Sequence, residues 1–292
     1  MRIVNLEEAQ LDLTVYADLY NLIFSDYYIP LTITPERLAR QLESGTLSSY
    51  YSVVALVEDR PAAMVLAGIE PVTGQLTLQA LGVIPELRRQ GIGKAMIEGL
   101  KERAAQAGVK ELSLMVMRTN RRALHFYQQM GFHSVGLREC YILPLPARLP
   151  KNSQRLKITR IPSNLWGELG EAAANTPPLL VLVAHSGSNN VGHLVISGEE
   201  TLVIESLYVQ PVWRRRPVGI SLLRAALAAR PLAQKVRVNY LPYRAKEMRR
   251  FLRRLGFQCF CRLEEMTAPL HPAQEGNDIP AVEEDGQEQR GS

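Results

Sequence analysis

Apolar positions along the chain follow two rhythms, and their alternation predicts its elements. Short β-type runs cover Met1–Asn5, Tyr51–Val57, Ala62–Ile69, Gln75–Val83, Glu111–Met117 and Phe132–Leu143. Helical spacing covers a segment reaching about Phe24 and a second one opened by Thr34 as cap and Pro35 at the first helical position. It returns over Gly91–Ala107 and Asn120–Met130. In the Gly91 helix Ile92, Ala95, Met96, Gly99, Leu100 and Arg103 share a face, and only the arginine is polar. Gly45, Gly108 and Gly131 stop three of these helices, while Glu58–Pro61 and Gly74 mark turns.

After Leu143 the pattern breaks. Pro144, Pro146, Pro150 and the polar Lys151–Gln154 read as an exposed linker over 148–155. From Leu156 the alternation resumes as strand, helix, a hairpin around His185–Asn190, then strand, helix, strand, helix and strand, ending near Met266. Residues 268–292 carry Pro, Gly, Gln and acids with almost no large apolar side chain, so a disordered acidic tail is expected there. The expected domains are therefore 1–147 and 156–267, consistent with a length of 292 residues.

The two domains repeat one another. Leu78-Gln-Ala-Leu-Gly-Val-Ile-Pro-Glu-Leu-Arg-Arg-Gln-Gly-Ile-Gly93 aligns without gaps on Ile204-Glu-Ser-Leu-Tyr-Val-Gln-Pro-Val-Trp-Arg-Arg-Arg-Pro-Val-Gly219, an offset of 204 − 78 = 126. His125-Phe-Tyr-Gln-Gln-Met-Gly-Phe132 aligns on Arg250-Phe-Leu-Arg-Arg-Leu-Gly-Phe257, an offset of 250 − 125 = 125. Two matched stretches at nearly equal offset argue for two copies of one fold.

Composition narrows the chemistry. Three cysteines, Cys140, Cys259 and Cys261, make neither a disulfide framework nor a zinc set, and no metal is expected. Cys259 and Cys261, two apart, are expected on one face of a strand. No leader pattern and no apolar run of about 18 residues is visible, so no membrane role and a reducing cytoplasmic setting are expected. The net charge is +5 although the last stretch is acidic, so the folded body is basic and suits an anionic ligand. His185 and His193 flank the hairpin without an acidic or thiol partner at ligand spacing. A Gly-x-Ser-x-Gly elbow is missing.

The chemistry concentrates at Arg88-Arg-Gln-Gly-Ile-Gly-Lys94, which follows a strand and opens a helix. Glycines permit a tight turn and close approach of a ligand, and free N–H groups at a helix start attract phosphate. The loop is neither a P-loop nor a Gly-x-Gly-x-x-Gly dinucleotide fingerprint. After the next strand comes Thr119-Asn-Arg-Arg-Ala-Leu-His-Phe-Tyr-Gln-Gln-Met-Gly-Phe132, in which Thr119 or Asn120 can cap a helix.

Both segments resemble the GNAT superfamily of N-acetyltransferases. Val83–Met96 resembles its acetyl-CoA motif through Arg88, Gly91 and Gly93, and Thr119–Phe132 resembles its second motif. The implied fold is α/β (α+β): two tandem GNAT folds, each a mostly antiparallel twisted sheet flanked by helices. The implied activity is acetyl transfer from acetyl-CoA, as cosubstrate, to an amine by direct attack in a ternary complex. The resemblance assigns the pantetheine arm to the backbone of Leu81, Gly82 and Val83. It assigns the pyrophosphate to Arg88 and to the amides of Arg89, Gln90, Gly91, Ile92, Gly93 and Lys94. It assigns the CoA arm to Asn120 and the general acid to Tyr127, whose hydroxyl can protonate the leaving thiolate. A backbone N–H near Val83 can stabilise the oxyanion.

The general base is left open. Many relatives place a Glu where Gln79 stands, and Asp26, Tyr27, Tyr28 and Glu70 are candidates by location. In the second copy Pro217 replaces Gly91, Ala245 replaces Asn120 and Leu252 replaces Tyr127, while Glu205 stands opposite Gln79. Proline has no N–H to give a phosphate, so this half is expected not to acetylate. A different class of reading is a CoA-binding sensor or scaffold without turnover. A third, nucleic-acid binding through Arg214–Arg216, Arg249, Arg250, Arg253 and Arg254, finds no named motif. A tandem chain can make within itself the contacts of a homodimer, and a monomer is expected.

Overall fold

The computed structural model describes residues 1–27, 31–70, 75–150, 156–162 and 179–270. The first half runs β1 (Arg2–Asn5), α1 (Leu6–Ala9), α2 (Leu13–Ile23), α3 (Pro35–Glu43), β2 (Val53–Val57), β3 (Arg60–Ile69), β4 (Leu76–Val83), α4 (Ile92–Gln106), β5 (Glu111–Met117), α5 (Arg121–Gln129) and β6 (His133–Pro144). The second half runs β7 (Lys157–Ile161), β8 (Leu180–Ser186), β9 (Asn189–Ser197), β10 (Thr201–Val209), α6 (Val218–Ala229), β11 (Lys235–Pro242), α7 (Lys246–Arg254) and β12 (Gln258–Pro269). Lys151–Gln154, the turn at Gly74, the helix expected after β7 and residues 271–292 lie outside the described residues.

The single helical segment expected before Phe24 is two helices. Gln10 takes a left-handed φ of 48° after α1, and the Asp12 side chain caps Thr14 N–H to start α2. The last strand also runs further than the pattern suggests. It reaches Pro269, with Ala268 and Leu270 buried in the core beneath α4, so the acidic composition begins only after an ordered apolar anchor.

The twelve strands of the described residues form one sheet in the order β1-β2-β3-β4-β5-β12-β6-β11-β10-β9-β8-β7. Among the described residues only β4–β5 and β10–β11 are parallel. The sequence pattern gives no sign of the exchange at the centre. β12, the last strand of the second copy, pairs with β5 of the first, and β6, the last strand of the first copy, pairs with β11 of the second. β6 and β12 pair with each other along the seam. The exchange is possible because the two copies present equivalent edges, and an antiparallel edge does not distinguish which chain segment supplies its partner.

Apolar faces fix the layers. α4 buries Ile92, Met96, Ile97, Leu100 and Ala104 against Val65, Leu112 and Leu114. On the opposite face α2 and α3 bury Tyr16, Leu19, Ile23 and Leu38 against Met64 and Leu66. In the second half α6 buries Leu222 and Leu223 against Leu182, Leu194, Val236 and Tyr141. Each fully buried side chain of this size contributes about 1.5–3 kcal/mol.

The exchange also separates two cysteines that spacing put together. Register shifts between Cys259 and Cys261, so Cys259 lies opposite Tyr141 while Cys261 lies opposite Cys140. Adjacent residues of β6 point to opposite faces, hence so do Cys259 and Cys261. A bulge at Phe260 overturns the one-face reading.

Candidate active site

The cleft begins as a gap in the sheet. β4 and β5 pair only at Leu76↔Leu112, Thr77↔Ser113 and Leu78↔Leu114, whereas β4 stays paired with β3 as far as Val83. From Gln79 onward, the β4 edge that faced β5 is open. Leu81, Gly82 and Val83 lie on that edge. Gly82 admits close packing here, because a Cβ would stand 2.0 Å from Ile23 Cγ2 on α2.

The gap opens toward the start of α4. After a 3-10 turn at Pro85–Leu87, Arg89 adopts φ 69° and Gly91 adopts φ 81°. A Cβ on Gly91 would meet nothing within 4 Å, so the backbone faces open space. α4 has no side-chain cap, unlike α1, α2, α3 and α5. Its first intrahelical donor is Ala95 N–H, to Gly91 O, which leaves the amides of Ile92, Gly93 and Lys94 ahead of it. Gln90 is exposed beside them, and Lys94 pairs loosely with Glu98 at 3.7 Å.

The Arg88 side chain has another task. Its Nε donates to Val83 O at 3.1 Å, Nη2 to Ile23 O at 2.9 Å, and both Nη atoms to the Asp26 carboxylate at 2.6 and 2.9 Å. It ties the end of α2 to the end of β4, so its guanidinium is already engaged within the chain. Asp26 loses by the same contact: the hydrogen bonds of Arg88 hold its carboxyl below the usual range, which makes it a poor base.

Across the gap, α5 brings up Asn120 and Tyr127. Asn120 Oδ1 caps α5 by accepting Ala123 N–H at 3.1 Å, and its Nδ2 donates to Tyr27 Oη at 3.4 Å. Tyr127 is buried, with edge-on rings of Phe126 and Phe132 at centroid distances of 5.3 and 5.6 Å. Burial raises its pKa and Tyr27 adds to the rise, so the phenol stays protonated.

The candidates for the base are dispersed. Gln79 sits at the bulge where β4 slips against β3, and its Nε2 donates to Thr46 O at 2.6 Å. Glu70 lies past the Ile69↔Leu76 pair, at the far end of β4 and about 20 Å of strand from Val83. Tyr28 lies outside the described residues. Tyr27 meets Asn120 at the start of α5.

The second half repeats the gap and lacks the loop. β10 and β11 part after Val203↔Arg237, with Glu205 at the matching bulge, where it accepts the Ser197 hydroxyl. Arg214 Nε donates to Val209 O at 3.3 Å, as Arg88 does to Val83. No residue from Arg214 to Pro217 has a positive φ, Ala245 offers α7 no cap, and Leu252 is fully buried.

One contributor was invisible in the sequence. Tyr240 of β11 takes a left-handed φ of 55° at a register shift opposite Cys140. It lies within electrostatic reach of Arg37 on α3 and Tyr20 on α2, and Tyr20 in turn of Tyr27. The second half thus extends to the α2–α3 side of the first.

The acetyltransferase (GNAT) family profile matches residues 16–132, and an acetyltransferase (GNAT) domain profile matches 177–259. The chain belongs to the GNAT family and carries two of its domains in tandem. It is 35% identical over 96 residues to N-acetyltransferase family 8 member 3 of Rattus norvegicus, covering 31% of this chain and 42% of that protein. It is 29% identical over 92 residues to the ribosomal protein bS18-alanine N-acetyltransferase of Salmonella typhimurium, covering 32% of this chain and 61% of that protein. Each match spans less than two thirds of the relative's length. A tandem GNAT protein from the clavulanic acid biosynthesis pathway superposes with a TM-score of 0.74 at 16% identity, over 93% of this chain and 99% of that one, which speaks to fold alone. Among the described residues no helix is long and apolar enough to cross a membrane.

Proposed function

We propose that the first half transfers an acetyl group from acetyl-CoA to a primary amine, and that the second half serves as a wall of the acceptor cleft. The observation that carries this reading is the open edge of β4 leading to an uncapped α4, with a buried, protonated Tyr127 across the gap. Bound acetyl-CoA supplies an activated thioester. The amides from Arg89 to Lys94 hold its diphosphate, where the helix start favours negative charge. The open edge of Leu81, Gly82 and Val83 offers strand-like hydrogen bonds to the pantetheine arm and a donor for charge developing on the carbonyl oxygen. Tyr127 gives its proton to the departing sulfur. The amine enters from the α2–α3 side, past Tyr20, Tyr27, Arg37 and Tyr240. Relatives that acetylate an alanine of a ribosomal protein or an α-amine support a protein α-amine as the acceptor class.

One observation favours a second reading. The bulge position that could hold a carboxylate base is the Gln79 amide, already bonded to Thr46. A base-free cleft suits either an amine that arrives neutral or a module that binds the cofactor without turnover.

The test is CoA release across a panel of peptide and small amines, with wild type and Tyr127→Phe, beside calorimetry with acetyl-CoA. The enzyme reading expects turnover on at least one amine, a fall of about 10²-fold or more in kcat for the variant, and little change in cofactor affinity. Tight cofactor binding with no turnover on any amine would favour the sensing module.

A further inference from the structure

We propose that Cys140 and Cys261 form a thiol pair that closes reversibly to a disulfide across the seam between the two halves. The pair is independent of the acetyl-transfer reading. The two cysteines are far apart in sequence, yet strand exchange sets them directly opposite each other on β6 and β12. Opposed Cα atoms in an antiparallel pair lie about 4.5–5.5 Å apart, within the range a disulfide spans.

The surroundings favour a thiolate. Tyr240 N–H donates to Cys140 Sγ at 3.5 Å, and the left-handed φ of Tyr240 lies at the shift that aims this N–H at the sulfur. The Arg237 guanidinium, 4.8 Å from the Phe260 ring centroid, adds positive charge. The facing Cys261 thiol lowers the Cys140 pKa to about 6 against the opposing effect of burial, and the facing Cys140 raises that of Cys261. The first proton therefore leaves the pair near neutral pH, and the charge belongs to both sulfurs. Access is unequal: Cys140 is buried and Cys261 is partly exposed.

The step needs a small-molecule disulfide as oxidant. The pair's remaining proton passes from Cys261 to Cys140, and the more accessible Cys261 sulfur, now the thiolate, attacks one sulfur of the oxidant. The oxidant's S–S bond breaks, and one half leaves as thiolate. Cys140 gives up its proton to solvent and attacks the Cys261 sulfur, expelling the second half. Two protein thiols lose two electrons and the oxidant is reduced to two thiols; excess thiol reverses both steps. Cys259, turned to the other face and packed against the second-half core, takes no part.

The test equilibrates the full-length protein in graded mixtures of reduced and oxidised glutathione, then alkylates free thiols and maps peptides by mass. The expected result is joint loss of two thiols, a Cys140–Cys261 linked peptide, a free Cys259 and full recovery in excess reduced glutathione. Cys140→Ser should stop at a glutathione adduct on Cys261. Thermal melting of the serine variants checks that they fold, and the wild-type result stands without them. Three free thiols under full oxidation, a bridge through Cys259, or an adduct that persists in wild type would overturn the proposal.

Discussion

Glu139 shows how much a single side chain at the seam depends on its neighbours. Its carboxylate is fully buried, accepting Tyr141 Oη–H at 2.7 Å and Arg262 Nε–H at 3.1 Å, with Arg249 Nη1 at 3.7 Å. Burial pushes its pKa up, but the hydrogen bonds of Tyr141 and Arg262 and the charge of Arg249 outweigh it and the net shift is downward. A folded-state pKa below the unfolded value gives stability that is present above the ordinary Glu range and lost as pH falls through the folded value. Glu139→Gln should therefore cost about 2–3 kcal/mol at pH 7, since it leaves Arg249 facing no counter-charge. That cost should shrink below about pH 4, where wild type weakens too. Urea melts of both proteins at pH 7 and pH 3.5 measure this; an undiminished gap at low pH would assign the loss to packing instead. Nothing in the sequence marked Glu139, because its arginine partners come from the other copy. The left-handed turn at Gly91 and the helix start at Asn120 were legible because both depend on neighbours along the chain. Arg88 was legible only in part: its place in the loop was clear, but its carboxylate partner on another element was not.

At the scale of elements, the two copies differ where a loop becomes a helix. The first makes its turn with left-handed residues and leaves the α4 start uncapped toward open space. The second substitutes Pro217, which cannot adopt a positive φ and has no N–H. Calorimetry on the full chain should therefore find one acetyl-CoA per chain, and Gly91→Pro should weaken binding at least about 10-fold, the loss of a phosphate contact or two. Pro217→Gly should not create a second site, because Ala245 and Leu252 still lack the cap and the phenol. Two equivalents bound to wild type would sink this account. These differences could be read from sequence because each element's start depends on a few adjacent residues.

For the whole molecule the exchange of β6 and β12 makes the halves interdependent. Residues 1–150 alone would leave β5 with a row of unpaired backbone groups and Glu139 without its arginines. We expect residues 1–150 alone to be unfolded or aggregated. Co-expression with 151–292 as a second chain should restore a 1:1 complex with native-like circular dichroism. A soluble, cooperatively melting 1–150 fragment would show that the exchange is dispensable.

The sequence by itself determined most of the strands and helices, the twofold repeat, the glycine turn before α4 and its replacement at Pro217 in the second copy. All of these depend on periodicity, backbone conformation or residue chemistry over short stretches of chain. The tertiary structure alone decided which strands are neighbours at the centre of the sheet, and so the partners of Glu139, the opposition of Cys140 to Cys261 and the reach of Tyr240 toward α2. Two repeats with the same alternation make self-pairing and exchange equivalent in pattern. Only the packed three-dimensional chain separates them.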